Sequence, residues 1–107
     1  MSMTRPRVSI ITSTYNRANL LAQAIRSALA QTFSNFEMVI VDDGSQDNSR
    51  RVVEGFGDPR IRYVYQPNAG LAAGRNTAIR HARGEYIAGK SPRPNRTLRA
   101  RSNSTRE

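Results

Sequence analysis

Two adjacent carboxylates, Asp42-Asp43, follow the apolar run Val39-Ile-Val41 and precede Gly44-Ser45. Successive side chains of an extended chain point to opposite sides, so one of the pair can face a ligand crevice. A carboxylate accepts hydrogen bonds well and suits a base N–H or ribose hydroxyls. The same residues also make an ordinary turn, since Asp, Gly and Ser are common turn formers. Tyr15-Asn16-Arg17 follows the run Val8–Thr14. A tyrosine at a strand end can stack on a planar base, and Asn16 can cap a helix or bind a polar group. A partly buried Tyr beside an Asn cap is the plain structural alternative. In Asn68-Ala-Gly-Leu-Ala-Ala-Gly-Arg-Asn76, Gly70 and Gly74 permit close approach at a helix start, where free N–H groups attract phosphate. Arg75 can reach an anionic group or serve as a surface charge. The segment matches neither G-x-x-x-x-G-K-[ST] nor G-x-G-x-x-G, so the usual phosphate-loop readings do not apply. His81 is the single histidine and reads as a surface residue. With no cysteine, thiolate metal sites, disulfides and a Cys nucleophile are excluded.

The elements that must position these residues are legible in the apolar pattern. Val8–Thr14 is a short β-rich run that reads as a buried strand. Residues 18–31 place Leu21, Ile25, Ala28 and Leu29 at helical spacing without Gly or Pro. Glu37–Val41 reads as a second strand. A helix capped by Ser45 or Asp47 is expected to run to about Gly55, and Gly55-Phe-Gly-Asp-Pro59 is a turn. Arg60–Tyr65 alternates as a third strand. Leu71, Arg75, Ala78, Ile79 and Ala82 predict a third helix to Arg83, with Gly84 as its C-cap. Glu85–Ala88 begins a fourth strand. The order β-α-β-α-β-α-β with short connections argues for an α/β fold with a Rossmann-like open parallel sheet. In such sheets ligands sit outside the carboxyl ends of the strands, where the three candidate segments fall.

The chain has 107 residues, with 17 Lys+Arg against 8 Asp+Glu for a net charge of +9. Residues 89–107 hold six cations (Lys90, Arg93, Arg96, Arg99, Arg101, Arg106) and one acid, Glu107, a net +5. Residues 1–88 hold eleven Arg and seven acids, a net +4. The first part is rich enough in apolar residues to build a core. The second has two, Leu98 and Ala100, too few to offset the entropy of ordering it. Residues 1–88 are therefore expected to form the domain, and 89–107 a disordered basic tail. No apolar run approaches the roughly 18 residues of a membrane span, and the start lacks the apolar stretch of a signal peptide. A cytoplasmic protein, or one peripheral to the inner face of the membrane, is expected.

Together, Val8-Ser-Ile-Ile-Thr-Ser-Thr-Tyr-Asn-Arg17, Gln31–Glu37, Val41-Asp-Asp-Gly-Ser-Gln-Asp-Asn-Ser49, Asn68–Asn76 and Gly84-Glu-Tyr-Ile87 resemble the opening part of the family-2 type inverting glycosyltransferases. The resemblance implies a partial GT-A fold whose N-terminal half binds a nucleotide-diphosphate sugar, commonly a UDP-sugar. It implies that Ser13 and Tyr15 line the base pocket, that Asp43 accepts from the uracil ring with Asp42 near the nucleoside, and that Arg75 sits near the donor. In the family, the strand beginning Glu85-Tyr-Ile ends in a D-x-D type motif holding Mg²⁺ or Mn²⁺ on the diphosphate. The cation stabilises the charge of the leaving group. A later carboxylate takes the proton of the acceptor hydroxyl.

The sequence departs from this pattern after Ala88. Gly89-Lys-Ser-Pro-Arg-Pro follows, and the only acids beyond Asp58 are Glu85 and Glu107. Metal ligands and a catalytic base are thus expected to be missing, with this chain inactive alone. The abrupt change is expected to reflect a shifted reading frame; an apolar–Asp–x–Asp run in another frame of the coding DNA after codon 88 would bear this out, and its absence from both would refute it. Two other readings compete. A small basic nucleic-acid-binding protein would explain the charge, but the tail has no aromatic residue to stack bases, so no specific nucleic acid is expected. A non-catalytic partner-binding module would use the unfinished sheet edge.

Overall fold

A computed structural model of the chain describes residues 6–31, 34–89 and 101–102. The strands are β1 (Val8–Thr14), β2 (Phe36–Asp42), β3 (Ile61–Tyr65), β4 (Tyr86–Gly89) and β5 (Arg101–Ser102). The helices are α1 (Ala18–Leu29), α2 (Ser49–Phe56) and α3 (Leu71–His81). They form one sheet of order β3-β2-β1-β4-β5. The first four strands are parallel, as the β-α-β-α-β-α-β pattern predicts, and β5 pairs antiparallel with β4.

Period-2 alternation in β1 and β2 sorts the core into two layers. Ile10, Met38 and Ile40 face Leu21, Ala24, Ile25 and Ala28 of α1 and Val53 of α2. Ile11, Val39 and Val41 face Ala78 of α3 and Ala82, with Ile87 of β4 beside them. All seven residues of β2 are buried, which is why its middle, Met38–Val41, is a continuous apolar run rather than an alternating one. Leu21 and Ile25 are fully buried, each worth about 1.5–3 kcal/mol of transfer free energy.

Two buried carboxylates, Glu37 and Asp42, flank that run within β2. Glu37 of β2 accepts hydrogen bonds from the Ser9 hydroxyl (2.5 Å), the Arg83 amide (2.6 Å) and the Arg62 guanidinium (3.0 Å). Arg62 also donates to the His81 carbonyl at 2.7 Å, and the Gly84 amide donates to Ser9 Oγ at 2.8 Å. Burial pushes the Glu37 carboxyl up, but the Ser9, Arg83 and Arg62 interactions outweigh it and hold it below its ordinary value. The network fastens the end of α3 to three strands.

Several boundaries differ from the sequence expectation. Helix α2 starts at Ser49 with Asn48 at the N-cap position; Ser45 does not cap it, its hydroxyl being taken by the Asn16 amide, whereas Asp47 does accept the first amide of the helix, that of Ser49. Helix α3 ends at His81, with Ala82 as its extended C-cap, so Gly84 is not the cap. Its role is close packing: a Cβ there would lie 2.7 Å from the Ser9 amide nitrogen and 2.8 Å from the Val8 carbonyl carbon. Gly84→Ala is expected to lower stability by about 2 kcal/mol, as overpacking against backbone does; thermal melts should show a Tm drop of roughly 10 °C. The coil expected for 89–107 is revised at two places. Gly89 is buried and closes β4, and Arg101–Ser102 pair with Tyr86 and Ile87. Backbone pairing along an open strand edge needs no apolar side chains, which composition could not register. The remainder of 89–107 lies outside the described residues.

Candidate functional site

The chain runs from β1 to β2 on one side and reaches β4 on the other, so the crevice expected in such a sheet opens at the carboxyl ends of β1 and its neighbours. Ser13 and Thr14 end β1 there. Their hydroxyl oxygens are buried and have no hydrogen-bond partner among the described residues. Leaving such a group unsatisfied costs about 1–3 kcal/mol. Ser13 Oγ is packed against Gly74 of α3, where an added Cβ would collide with it. Gly74 therefore lets α3 approach the strand end.

Asp42 and Asp43 end β2 and begin the turn, and both are buried, at 1% and 3% exposure. Asp42 Oδ1 accepts the Ser45 amide at 2.8 Å, and Oδ2 accepts the Tyr63 hydroxyl. Burial, and then the hydrogen bond to Asp42 and its charge, raise the Tyr63 phenol well above its ordinary value, so it remains a donor. Asp43 is held by the segment that enters α3. Its Oδ1 accepts from Gln66 Nε2 (3.1 Å) and the Ala69 amide (2.9 Å), and Oδ2 from the Gly70 amide (3.0 Å) and Asn68 Nδ2 (3.3 Å). Burial raises the Asp43 carboxyl, but the Gln66, Ala69 and Gly70 bonds prevail and lower it. A carboxylate offers about four lone-pair sites, and here all are engaged. A base N–H could reach Asp43 only if a mobile amide, that of Gln66 or Asn68, gave up its place. Gly44 makes this closeness possible: its φ is +90°, and a Cβ there would lie 2.8 Å from the Asn68 amide nitrogen.

The loop carrying Tyr15 is tied to the same turn. The Asp43 amide donates to the Thr14 carbonyl at 2.9 Å. The Asn16 amide donates to Ser45 Oγ at 2.7 Å, and Asn16 Oδ1 accepts the Gln46 amide at 2.8 Å. Asn16 therefore does not cap α1. That role falls to Asp47, whose Oδ2 accepts the Ala18 amide (3.2 Å) while Oδ1 accepts the Ser49 amide (3.0 Å) and hydroxyl (2.6 Å). One carboxylate thus serves the first turns of α1 and α2, favourable at the positive ends of both helices. Burial raises Asp47, yet the Ser49 and Ala18 bonds lower it overall.

Of the five candidates, Ser13, Asp42 and Asp43 meet at adjoining strand ends. Tyr15 stands beside them, 46% exposed. Arg75 is exposed on α3 and forms no ion pair among the described residues. Gln66, Asn68 and Asp47 were not among the candidates, although Asn68 lies in the quoted segment. A shallow pocket of about 410 Å³ borders the same loop, lined by Gln66, Asn68, Ala69, Asn76, Thr77 and Arg80.

A parallel sheet entered in this order, with a polar crevice at its carboxyl edge, defines the opening part of a GT-A fold. The chain belongs to glycosyl transferase family 2, whose model matches residues 9–89. An uncharacterized glycosyltransferase of Rickettsia conorii is 47% identical over 83 residues, which is 76% of this chain and 14% of that protein. S. aureus TarS in complex with UDP superposes with a TM-score of 0.75 at 28% identity, covering 80% of this chain and 27% of TarS. The mannosyltransferase PcManGT from Pyrobaculum calidifontis, in complex with GDP-Man and Mn²⁺, gives a TM-score of 0.74 at 31% identity over 84% of this chain and 28% of its own. The chain therefore spans well under a third of each of these proteins.

The described residues do not fit a divalent cation. Among them no three His, Cys, Asp or Glu residues cluster. The carboxylates of Glu37, Asp42, Asp43, Asp47 and Asp58 are committed to hydrogen bonds or ion pairs. Among the described residues, no helix is long and apolar enough to cross a membrane.

Proposed function

We propose that this chain supplies the donor-nucleotide half of an inverting glycosyltransferase that moves a sugar from a nucleotide-diphosphate sugar, a UDP-sugar, to an acceptor hydroxyl. The observation that carries the reading is the convergence of Ser13, with its unpartnered buried hydroxyl, and the Asp42-Asp43 pair at adjoining strand ends, with Tyr15 exposed next to them. The exchangeable amides around Asp43 give a base edge donors and acceptors, beside the strand end that carries Ser13. Tyr15 gives it a stacking face, and Arg75 gives the diphosphate a counter-charge. The complexes of TarS with UDP and of PcManGT with GDP-Man support a nucleotide as the ligand. In the family the Mg²⁺ or Mn²⁺ neutralises the leaving diphosphate; the described residues of this chain do not hold it. These 107 residues on their own bind nucleotide without transferring sugar, because no aspartate occurs after Asp58.

Calorimetric titration of the chain with UDP, GDP and a random RNA oligomer tests this. UDP should bind saturably and better than GDP, with little change on adding chelator. Tyr15→Ala should weaken UDP about tenfold, the scale of one lost base stack. Salt-sensitive RNA binding without UDP binding would instead favour the nucleic-acid reading.

A further inference from the structure

Asn16 stands out because it is the one non-glycine residue among those described with a left-handed backbone, φ +49°. Asparagine tolerates this region better than most residues, but such conformations persist only where neighbours over-determine them, and they concentrate at functional sites. Here both its amide and its side chain are used. The amide donates to Ser45 Oγ and the side-chain oxygen accepts the Gln46 amide. One residue earlier than Tyr15, the Thr14 carbonyl accepts the Asp43 amide. Tyr15 is thus bracketed by two anchors, Thr14 and Asn16, and both anchors are fixed to the turn that carries Asp43. Beyond Asn16, Asp47 receives the Ala18 amide and continues the seam.

Tyr15, 46% exposed as a residue, gains little fixation from burial, so its position follows from the backbone on either side. We infer that Asn16 is a positioning residue for nucleotide recognition: its side-chain bond to Gln46 and its left-handed backbone hold Tyr15 and Asp43 on one rigid frame. The inference rests on the nucleotide-binding reading above. It assigns Asn16 no contact with the ligand. Its effect runs through the distance between a stacking face and the polar groups that read the base edge, which rigid loops keep at one value and independent loops do not.

Three substitutions separate the components. Asn16→Gly relaxes the backbone strain but removes the acceptor for Gln46. Asn16→Asp keeps an acceptor oxygen on a residue that also tolerates the left-handed region. Asn16→Ala loses both. Two readouts are taken on the whole 107-residue chain: amide hydrogen exchange at Gln46, with Val39 as a core reference, and UDP affinity. Asn16→Gly should speed exchange at Gln46 about tenfold while leaving Val39 unchanged, and weaken UDP about fivefold, the scale of one hydrogen bond. Asn16→Asp should restore both to within about twofold, and Asn16→Ala should weaken UDP at least as much as Gly. Unchanged UDP affinity in Asn16→Gly despite faster Gln46 exchange would overturn the inference. Faster exchange at Val39 as well would also overturn it, in favour of a general structural role. Absence of UDP binding by the unsubstituted chain, with Gln46 exchange behaving as expected, would overturn the nucleotide reading itself, and the positioning role with it.

Discussion

Asp43→Asn should abolish measurable UDP binding and destabilise the domain by about 3 kcal/mol, although it changes only an oxygen to an amino group. Both effects have one origin. Asp43 accepts from four donors, two of them backbone amides at the entrance of α3. An asparagine keeps one acceptor oxygen and turns an N–H₂ toward groups that are themselves donors. Hydrogen bonds to a charged group contribute about 1.5–3 kcal/mol each, and a buried donor left without a partner costs about as much again. Relaxation of Gln66 and Asn68, whose side chains can turn away, limits the loss. The Ala69 and Gly70 amides cannot turn away without unwinding the start of α3, so the segment that bears Gly74 and Arg75 shifts with them. Denaturant melts read the stability loss and calorimetry reads the UDP loss. A variant of unchanged stability would show that the four bonds carry little.

The second large effect lies at the opposite end of the strands. Glu37→Ala should cost about 3–5 kcal/mol, the range for removing one member of a buried charged group. Total stabilities of domains are about 5–15 kcal/mol, so this variant is expected to be largely unfolded near room temperature. Arg62, Ser9 and the Arg83 amide would all lose their acceptor at once. The sign of the pH dependence follows from the same contacts. Glu37 is held below its ordinary value in the fold, so its contribution is fully present above the unfolded carboxyl range, about pH 4.3. It is lost as pH falls through the lower folded value. Asp43, Asp47 and Asp58 are shifted in the same direction and add to the acid loss. The milder Glu37→Gln should fold at neutral pH with reduced stability and show a shallower fall between about pH 5 and 3. An unchanged acid slope would show that Glu37 does not contribute to the acid sensitivity of the fold.

The fold was largely legible because its signals are local. Val8–Thr14 and Val39–Val41 are β-branched runs, and Leu21, Ile25 and Ala28 repeat at helical spacing, so each element announces itself within a short window. The placement of the candidate residues was legible in part for the same reason: Ser13 and Asp42-Asp43 end strands whose direction the β-α-β order fixes. What escaped was decided across the chain. Glu37 read as the first residue of a strand, but its partners Ser9, Arg62 and Arg83 are 25 to 46 residues away. The available signal was an acid entering an otherwise apolar buried run, which demands a partner. Asn16 and Asp47 were both plausible helix caps by type. Which one caps α1 depends on a loop 29 to 30 residues distant, and propensity cannot see that contact. Gly84 followed a helix and so suggested a cap, whereas its small size serves contact with Ser9.

If this edge of the sheet receives a nucleotide, amide chemical shifts will map UDP onto it residue by residue. At UDP concentrations up to about 1 mM, a range that reveals weak binding, saturable shifts are predicted at Ser13, Tyr15, Asp43 and the Asn68–Gly70 segment. The far-edge residues Glu37 and Arg83 should stay unmoved, and Asp43→Asn should lose the response. Shifts confined to the arginine-rich residues 90–106, or no saturable shift at all, would contradict a nucleotide site at this edge.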